Sequence, residues 1–188
     1  MASLKDWVTT SSVSVFDGAP WVSVASETVQ LPDGQTVDGF YRVTMRDFVC
    51  IYPVTEGGSV LIINQYKHGP KRVSLTFPGG HIEDDEDPVE TAARELLEET
   101  GYEANALDYL GGYTISANQE CGTAHFVRST GCRKVTEPDS GDLEEMEIVE
   151  MPLAELWTNA RTGDIVLLNQ LALLAFATHP ELCSDPTD

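Results

Sequence analysis

The sequence predicts an α/β fold: a mixed sheet packed between helices, preceded by an antiparallel β-hairpin region. Three observations predict it. The apparent elements run as strands, one helix, more strands, then helices, an order that suits a sheet covered by helices. One helix is punctuated at both ends, by Asp87 and Gly101. A Pro32-Asp33-Gly34 turn signal separates two strand-like stretches near the N-terminus.

The elements follow in chain order. Trp21 to Leu31 is a mixed apolar–polar stretch rich in Val and reads as a strand. Thr36 to Thr44 returns as a second strand, with Asp33-Gly34 as the hairpin turn. Phe48 to Val54 is an almost continuous apolar run, as a buried strand requires. Glu56-Gly57-Gly58 turns the chain into a strand over Ser59 to Tyr66, and His68 to Arg72 reads as a loop. Phe77-Pro78-Gly79-Gly80 is a sharp loop, followed by the acidic stretch Glu83 to Asp87.

Asp87 is a good N-cap, Pro88 suits the first helical position, and Glu90 completes a capping-box pattern. Val89, Ala92, Ala93, Leu96 and Leu97 recur at helical spacing, and Gly101 stands where a C′ glycine belongs. A helix over Pro88 to Thr100 follows. Leu110 to Ile115 and Ala124 to Arg128 read as strands. Ser129 to Asp142 is polar, contains Pro138 and Gly141, and is expected to be a mobile loop. Met146 to Met151 is a strand leading into Pro152. Helices over Leu153 to Arg161 and Ile165 to Thr178 close the chain, and residues 184–188 read as a frayed tail.

The chain has 188 residues, 41% hydrophobic and 22% charged, which fits one globular domain and excludes overall disorder, collagen and coiled coil. No apolar run approaches the ~20 residues that span a bilayer; the longest candidate, Ile165 to Ala177, is broken by Asn169 and Gln170. The first residues carry no basic-then-apolar leader, so a cytoplasmic location is expected. Cys50, Cys121, Cys132 and Cys183 form no C-x-x-C pair, which speaks against zinc and redox motifs. His81 and His125 are isolated and read as structural.

The net charge is −20, with 11 basic and 31 acidic residues. Duplex DNA is excluded as a partner, because phosphate binding needs a basic footprint. A small anionic substrate is not, because a divalent cation can supply the positive charge locally. The scarcity of lysine (Lys5, Lys67, Lys71, Lys134) is compatible with a saline habitat.

The chemistry concentrates on the Pro88–Thr100 helix. Glu95 and Glu99 are four apart and Glu95 and Glu98 three apart, so three carboxylates share one end of its surface while Ala92, Ala93 and Leu96 turn to a core. Such like charges cost stability unless neutralised. A hard divalent cation with oxygen ligands neutralises them. Arg94 stands four from both Glu90 and Glu98 and can also reach back to Glu86; it is expected to orient carboxylates.

From Gly80 to Tyr102 the sequence resembles the Nudix box, G-x5-E-x7-R-E-U-x-E-E-x-G-U, where U is bulky and apolar. Gly80, Glu86, Arg94, Glu95, Leu96, Glu98, Glu99, Gly101 and Tyr102 stand at its fixed positions. Seven fixed identities at about 7% usage each coincide by chance roughly once in 10⁸ windows. The resemblance implies a Nudix-type α/β/α sandwich acting as a pyrophosphohydrolase with magnesium or manganese. Glu95, Glu98, Glu99 and the Gly79 carbonyl would hold the metal, with Glu98 and Arg94 in the catalytic machinery. Gly80, Glu86 and Gly101 would shape the motif.

The flanks, with the N-terminal hairpin, Asn64-Gln65-Tyr66-Lys67 and Phe77-Pro78-Gly79-Gly80, resemble the branch that cleaves ADP-ribose and other nucleoside diphosphate sugars. In that branch the general base is a glutamate on a late loop. Glu144 is the choice here, with Glu145 and Glu147 as rivals. Trp21 would stack on adenine, and Arg46, Lys67 or His68 would approach phosphate or ribose; Glu120 is a further candidate for a metal or substrate contact. The same resemblance implies a homodimer. It divides the chain into residues 1–48 as a hairpin region for substrate and dimer contacts, 49–183 as the Nudix hydrolase domain, and the 184–188 tail.

Two departures touch specificity. Thr76 stands where the branch usually carries glutamate, and no proline occurs between Pro88 and Pro138. Hydrolysis of modified nucleoside triphosphates or dinucleoside polyphosphates, and nucleotide sensing without turnover, are the alternatives.

Overall fold

The computed structural model describes residues 4–141 and 145–183. In chain order these form β1 (Val8–Gly18), β2 (Val22–Gln30), β3 (Thr36–Met45), β4 (Phe48–Thr55), β5 (Val60–Lys67), β6 (Arg72–Thr76), α1 (Pro88–Thr100), β7 (Tyr102–Glu103), β8 (Ala106–Ser116), β9 (Glu120–Lys134), β10 (Met146–Met151), α2 (Leu153–Thr162) and α3 (Leu168–Thr178). A 3₁₀ turn, Pro180–Leu182, follows. They group into two compact units, Met1–Asp47 with Thr114–Thr123, and Phe48–Tyr113 with Ala124–Asp188.

The first unit is an antiparallel ribbon. β1 lies against β2 (Val13 opposite Ser26), and β2 against β3 (Val24 opposite Val43). The expected hairpin is present. Gly34 N–H donates to the Leu31 carbonyl, Gln35 N–H donates to the Asp33 carboxylate at 2.9 Å, and Gly34 sits at φ 90°. That φ favours glycine. β1 was not legible as a strand of its own. Its Ser/Thr-rich sequence is exposed almost throughout, so no buried face imprints a period on it.

The second unit holds the core. β9 runs parallel to β4, while β4, β6 and β10 are antiparallel to β5. Side chains alternate across a strand, and here the alternation sorts residues into two clusters. Val49, Ile51 and Leu61 pack with Ala92 and Leu96 of α1. Cys50, Tyr52, Val60 and Ile62 pack with Leu156 of α2 and Leu173, Leu174 and Ala177 of α3. A mixed sheet thus lies between α1 and the α2–α3 pair, as expected. Each fully buried Leu, Ile or Val is worth about 1.5–3 kcal/mol of transfer free energy.

Four expectations need correction. β6 starts at Arg72, the last residue of the stretch read as loop, and continues over Val73–Thr76, to which the sequence reading assigns no element; five residues are too few to declare a period. β9 continues to Lys134 where a polar loop was expected from Ser129, because Ser129 and Cys132 are fully buried against β4. α3 begins at Leu168, not Ile165, which is buried in the lead-in. Ala93 is exposed, although the helical pattern placed it with Ala92 and Leu96. The 184–188 tail lies outside the described residues.

Candidate active site

The site is built on α1 and the loop that joins β6 to it. The Asp87 carboxylate accepts from Val89 N–H at 2.8 Å, and Pro88 occupies the first turn. The helix stops at Gly101, left-handed at φ 74°, whose N–H donates to the Leu97 carbonyl. These caps fix the register in which Glu95, Glu98 and Glu99 project.

Arg94 is the hub. Its Nε and Nη2 each donate at 2.9 Å to the two oxygens of Glu86. Nη1 donates to Glu95 at 2.7 Å and to Glu98 at 3.2 Å, and Nη2 also reaches the His81 carbonyl. The guanidinium fork holds the Glu86 carboxyl down to about 2, and the carboxylates raise the Arg94 pKa. Arg94 therefore reaches back to Glu86 and orients three carboxylates at once. Within the helix it pairs with Glu95 and Glu98.

Glu99 is turned to the Gly79–Gly80 loop. It is only 5% exposed, and its Oε2 accepts from Gly79 N–H at 2.7 Å. The loop comes this close because Gly79 and Gly80 carry no side chains. A Cβ on Gly80 would run into the Glu95 carboxylate, and one on Gly79 into the Val49 carbonyl. The carbonyls flanking Gly79 are taken: Pro78 accepts from Ile51 N–H and Gly80 from Val49 N–H, each at 2.9 Å.

The donor set suits a hard cation. Glu86, Glu95, Glu98 and Glu99 bring four carboxylates against the single guanidinium of Arg94, and all the candidate ligands are oxygens. Among the described residues they do not converge on one point, because Arg94 draws Glu95 and Glu98 to itself. A bound cation would compete with the guanidinium for those oxygens.

On the far side of the Gly79–Gly80 segment lies a cleft of about 190 Å³, lined among others by Gln65, Lys67, Thr76 and Asn169. Lys67 thus borders the same loop as the carboxylates. Cys50 also lines it, but burial pushes its thiol up to about 12, so it stays protonated and is a poor nucleophile.

The remaining expected residues fall elsewhere. Within the first unit, Arg46 lies over the Trp21 ring at 5.7 Å from its centroid, and Trp21 is 60% exposed. Glu120 is held in an ion pair by Arg42, a residue the sequence did not single out. In the second unit Glu147 accepts from Asn64 Nδ2 at 3.2 Å, and Glu145 is exposed. Glu144 lies outside the described residues. Gln170 was also not singled out; its Oε1 accepts from Phe77 N–H at 2.6 Å and so braces the loop from α3. A buried glutamine on an otherwise apolar helix was the signal available.

Residues 44–171 match the NUDIX domain. The chain belongs to the Nudix family. Residues 7–43 match the nucleoside diphosphate sugar hydrolase N-terminal domain. Two similar proteins are the methanol dehydrogenase activator of Bacillus methanolicus (29% identical over 153 residues, 80% of each chain) and the ADP-ribose pyrophosphatase of Bacillus subtilis (28% over 156 residues, 82% of this chain and 83% of that one). The fold resembles the crystal structure of an ADP compounds hydrolase, with a TM-score of 0.81, 24% identity and 97% of each chain covered. The expectation of a Nudix pyrophosphohydrolase holds. No helix among the described residues is long and apolar enough to cross a membrane.

Proposed function

We propose that this Nudix enzyme hydrolyses the pyrophosphate bond of ADP-ribose or a related nucleoside diphosphate sugar, giving a nucleoside monophosphate and a sugar phosphate. The observation that carries the reading is the box itself: three carboxylates on the Arg94 guanidinium and a fourth, Glu99, on the Gly79 N–H of a Gly-Gly segment. The N-terminal domain match and the relative named an ADP-ribose pyrophosphatase support the substrate class.

Glu95, Glu98, Glu99 and the Gly79 carbonyl would hold magnesium or manganese. Such an ion neutralises phosphoryl oxygens and makes bound water acidic. Arg94 holds Glu95 and Glu98 in place through its Nη1. Lys67 would meet a phosphate across the Gly79–Gly80 segment. Trp21, braced by Arg46, offers an exposed ring face for a base, and Glu120 would contact substrate beside Arg42. Glu144 is the proposed general base, with Glu145 and Glu147 as its rivals.

A homodimer is part of the reading. Val13, Val15, Phe16 and Tyr41 expose apolar surface on the N-terminal ribbon, each more than half accessible. A cytoplasmic location is proposed with it.

The test is incubation of pure protein with ADP-ribose, with and without magnesium, and chromatography for AMP. AMP is expected only with magnesium. Absence of AMP, with turnover of nucleoside triphosphates instead, overturns the substrate class.

A further inference from the structure

The β5–β6 hairpin is the basic end of an acidic protein. From Gly57 to Ile82 the chain carries no Asp or Glu, so all 31 acids lie outside this stretch. Three of the 11 lysines and arginines, Lys67, Lys71 and Arg72, lie inside it. Lys67 and Arg72 are direct cross-strand partners in the β5–β6 ladder. Directly opposed residues share one face of an antiparallel pair, with Cβ atoms about 4.5–5.5 Å apart, and like charges placed so are destabilising. Here two cations hold that position.

No counter-ion among the described residues offsets the repulsion. Arg42, Arg94, Arg128, Arg133 and Lys134 each have a carboxylate partner. Among the described residues no carboxylate pairs with Lys67, Lys71 or Arg72, and Arg72 Nε donates to the adjacent Val73 carbonyl at 3.4 Å. Glu147 stands opposite Asn64 and accepts from its amide. Asn64 is three residues from Lys67 along β5, so it and Glu147 project from the other face. Lys67 also borders the cleft beside Gly79–Gly80, and no Asp or Glu among the described residues lines that cleft. This face of the hairpin is therefore an electropositive island, able to hold an oxyanion that the rest of the surface repels.

We propose that Arg72 is a specificity-determining residue: with Lys67 engaged by the substrate's diphosphate, Arg72 binds a further oxyanion, a carboxylate or a phosphate, carried by the half of the substrate that departs from the nucleotide. This rests on the reading of the enzyme as a nucleoside diphosphate sugar hydrolase and narrows its substrates to those whose sugar half is itself charged. In that reading Lys67 answers the diphosphate, and Arg72 is surplus to it. A second cation that costs stability while alone is accounted for by a second anion. Arginine fits the task, because its planar fork meets either a carboxylate or a phosphate through two parallel bonds. Arg72 is exposed, so the contact is screened by salt and the discrimination is moderate.

The experiment crosses two matched pairs of substrates with two proteins. ADP-ribose and ADP-ribose 1″-phosphate differ by one phosphate on the departing half. ADP-glucose and ADP-glucuronic acid differ by one carboxylate. The proteins are wild type and Arg72→Gln. Wild-type kcat/KM is expected to favour the charged member of at least one pair by about fivefold, and the pair in which it does so tells phosphate from carboxylate. That preference should shrink with added sodium chloride and vanish in Arg72→Gln. No preference for the charged member of either pair overturns the assignment. So does an equal fall on both members in the variant, which marks a merely structural role.

Binding of the departing halves gives a readout independent of turnover. Ribose 1,5-bisphosphate against ribose 5-phosphate, and glucuronic acid 1-phosphate against glucose 1-phosphate, are titrated calorimetrically into both proteins. The member with the extra anion is expected to bind wild type about fivefold tighter in at least one pair, and Arg72→Gln should level the two. Equal affinities in wild type, or no binding at all, overturn the role of Arg72. If wild type cleaves none of the four substrates, the proposed reaction fails, and these titrations still decide on Arg72 by themselves.

Discussion

The Arg94 guanidinium meets the Glu86 carboxylate as a two-pronged fork, with both N···O distances at 2.9 Å, across eight residues of chain. The fork ties the middle of α1 to the acidic loop before it. Lysine keeps the charge and cannot make both bonds. Arg94→Lys is expected to cost about 2 kcal/mol of stability and to release Glu86 toward its ordinary range. Glu86 titrates near 4.5 when unperturbed and at about 2 when folded. Its contribution is therefore fully present above about 4.5 and is lost as pH falls through 2. In Arg94→Lys the acid-unfolding midpoint should move to higher pH, read by circular dichroism. An unmoved midpoint would show that the fork stabilises nothing.

Glu98→Gln and Glu99→Gln each remove one negative charge from a cluster with a charge deficit. Turnover is expected to fall by about 100-fold or more. Without metal, relief of like-charge repulsion opposes the weakening of the Arg94–Glu98 pair and of the Gly79–Glu99 bond, so the Tm of both variants should move little. With magnesium, wild-type Tm should climb with concentration as binding to the folded state requires, and both variants should respond less. A differential scanning fluorimetry titration separates the two effects. An equal magnesium response in all three proteins would remove these carboxylates from the ligand set.

Gly79→Ala and Gly80→Ala should part company. At Gly79 the added methyl meets the Val49 carbonyl, which is backbone and fixed in β4. At Gly80 it meets the Glu95 carboxylate, the movable end of a side chain. Gly79→Ala should lose several kcal/mol of stability or fail to fold. Gly80→Ala should fold with Tm within a few degrees and lose metal affinity, because Glu95 is pushed aside. Calorimetry of folding and of magnesium binding on the two variants checks the contrast.

A net charge of −20 on 188 residues repels itself. Raising sodium chloride from 0.05 to 0.5 M shortens the screening length from about 14 to about 4 Å and should raise Tm of the metal-free protein. A Tm that falls with salt would mean that surface ion pairs such as Arg128–Asp108 outweigh the repulsion.

The legible parts of this fold are those where local chemistry and tertiary role agree. α1 could be delimited to the residue because Asp87, Pro88 and Gly101 each do one local job and the structure uses all three. β4 and β5 were legible because both faces are buried and the sequence is apolar throughout. β1 was illegible because neither face is buried. The second half of β9 was illegible for the opposite reason: Ser129 is polar, yet fully buried.

In the site, the helical spacing brought Arg94 to Glu98, and the reach back to Glu86 followed from their positions in the chain. The separation of Glu99 from Glu98 could not be read, because it depends on where Gly79 approaches.

The C-terminal end of α1 also holds a tether. The Glu98 carbonyl accepts from Asp139 N–H at 2.8 Å, and the Gly101 carbonyl accepts from Val135 and Thr136. On the other side, Met146 is pinned opposite Gln65 in the sheet. The chain between these two anchors carries the proposed base. The backbone that presents a box glutamate is thus the mooring post of the loop expected to deliver the base. Lengthening that leash by inserting glycines after Ser140 should slow turnover and leave magnesium binding intact.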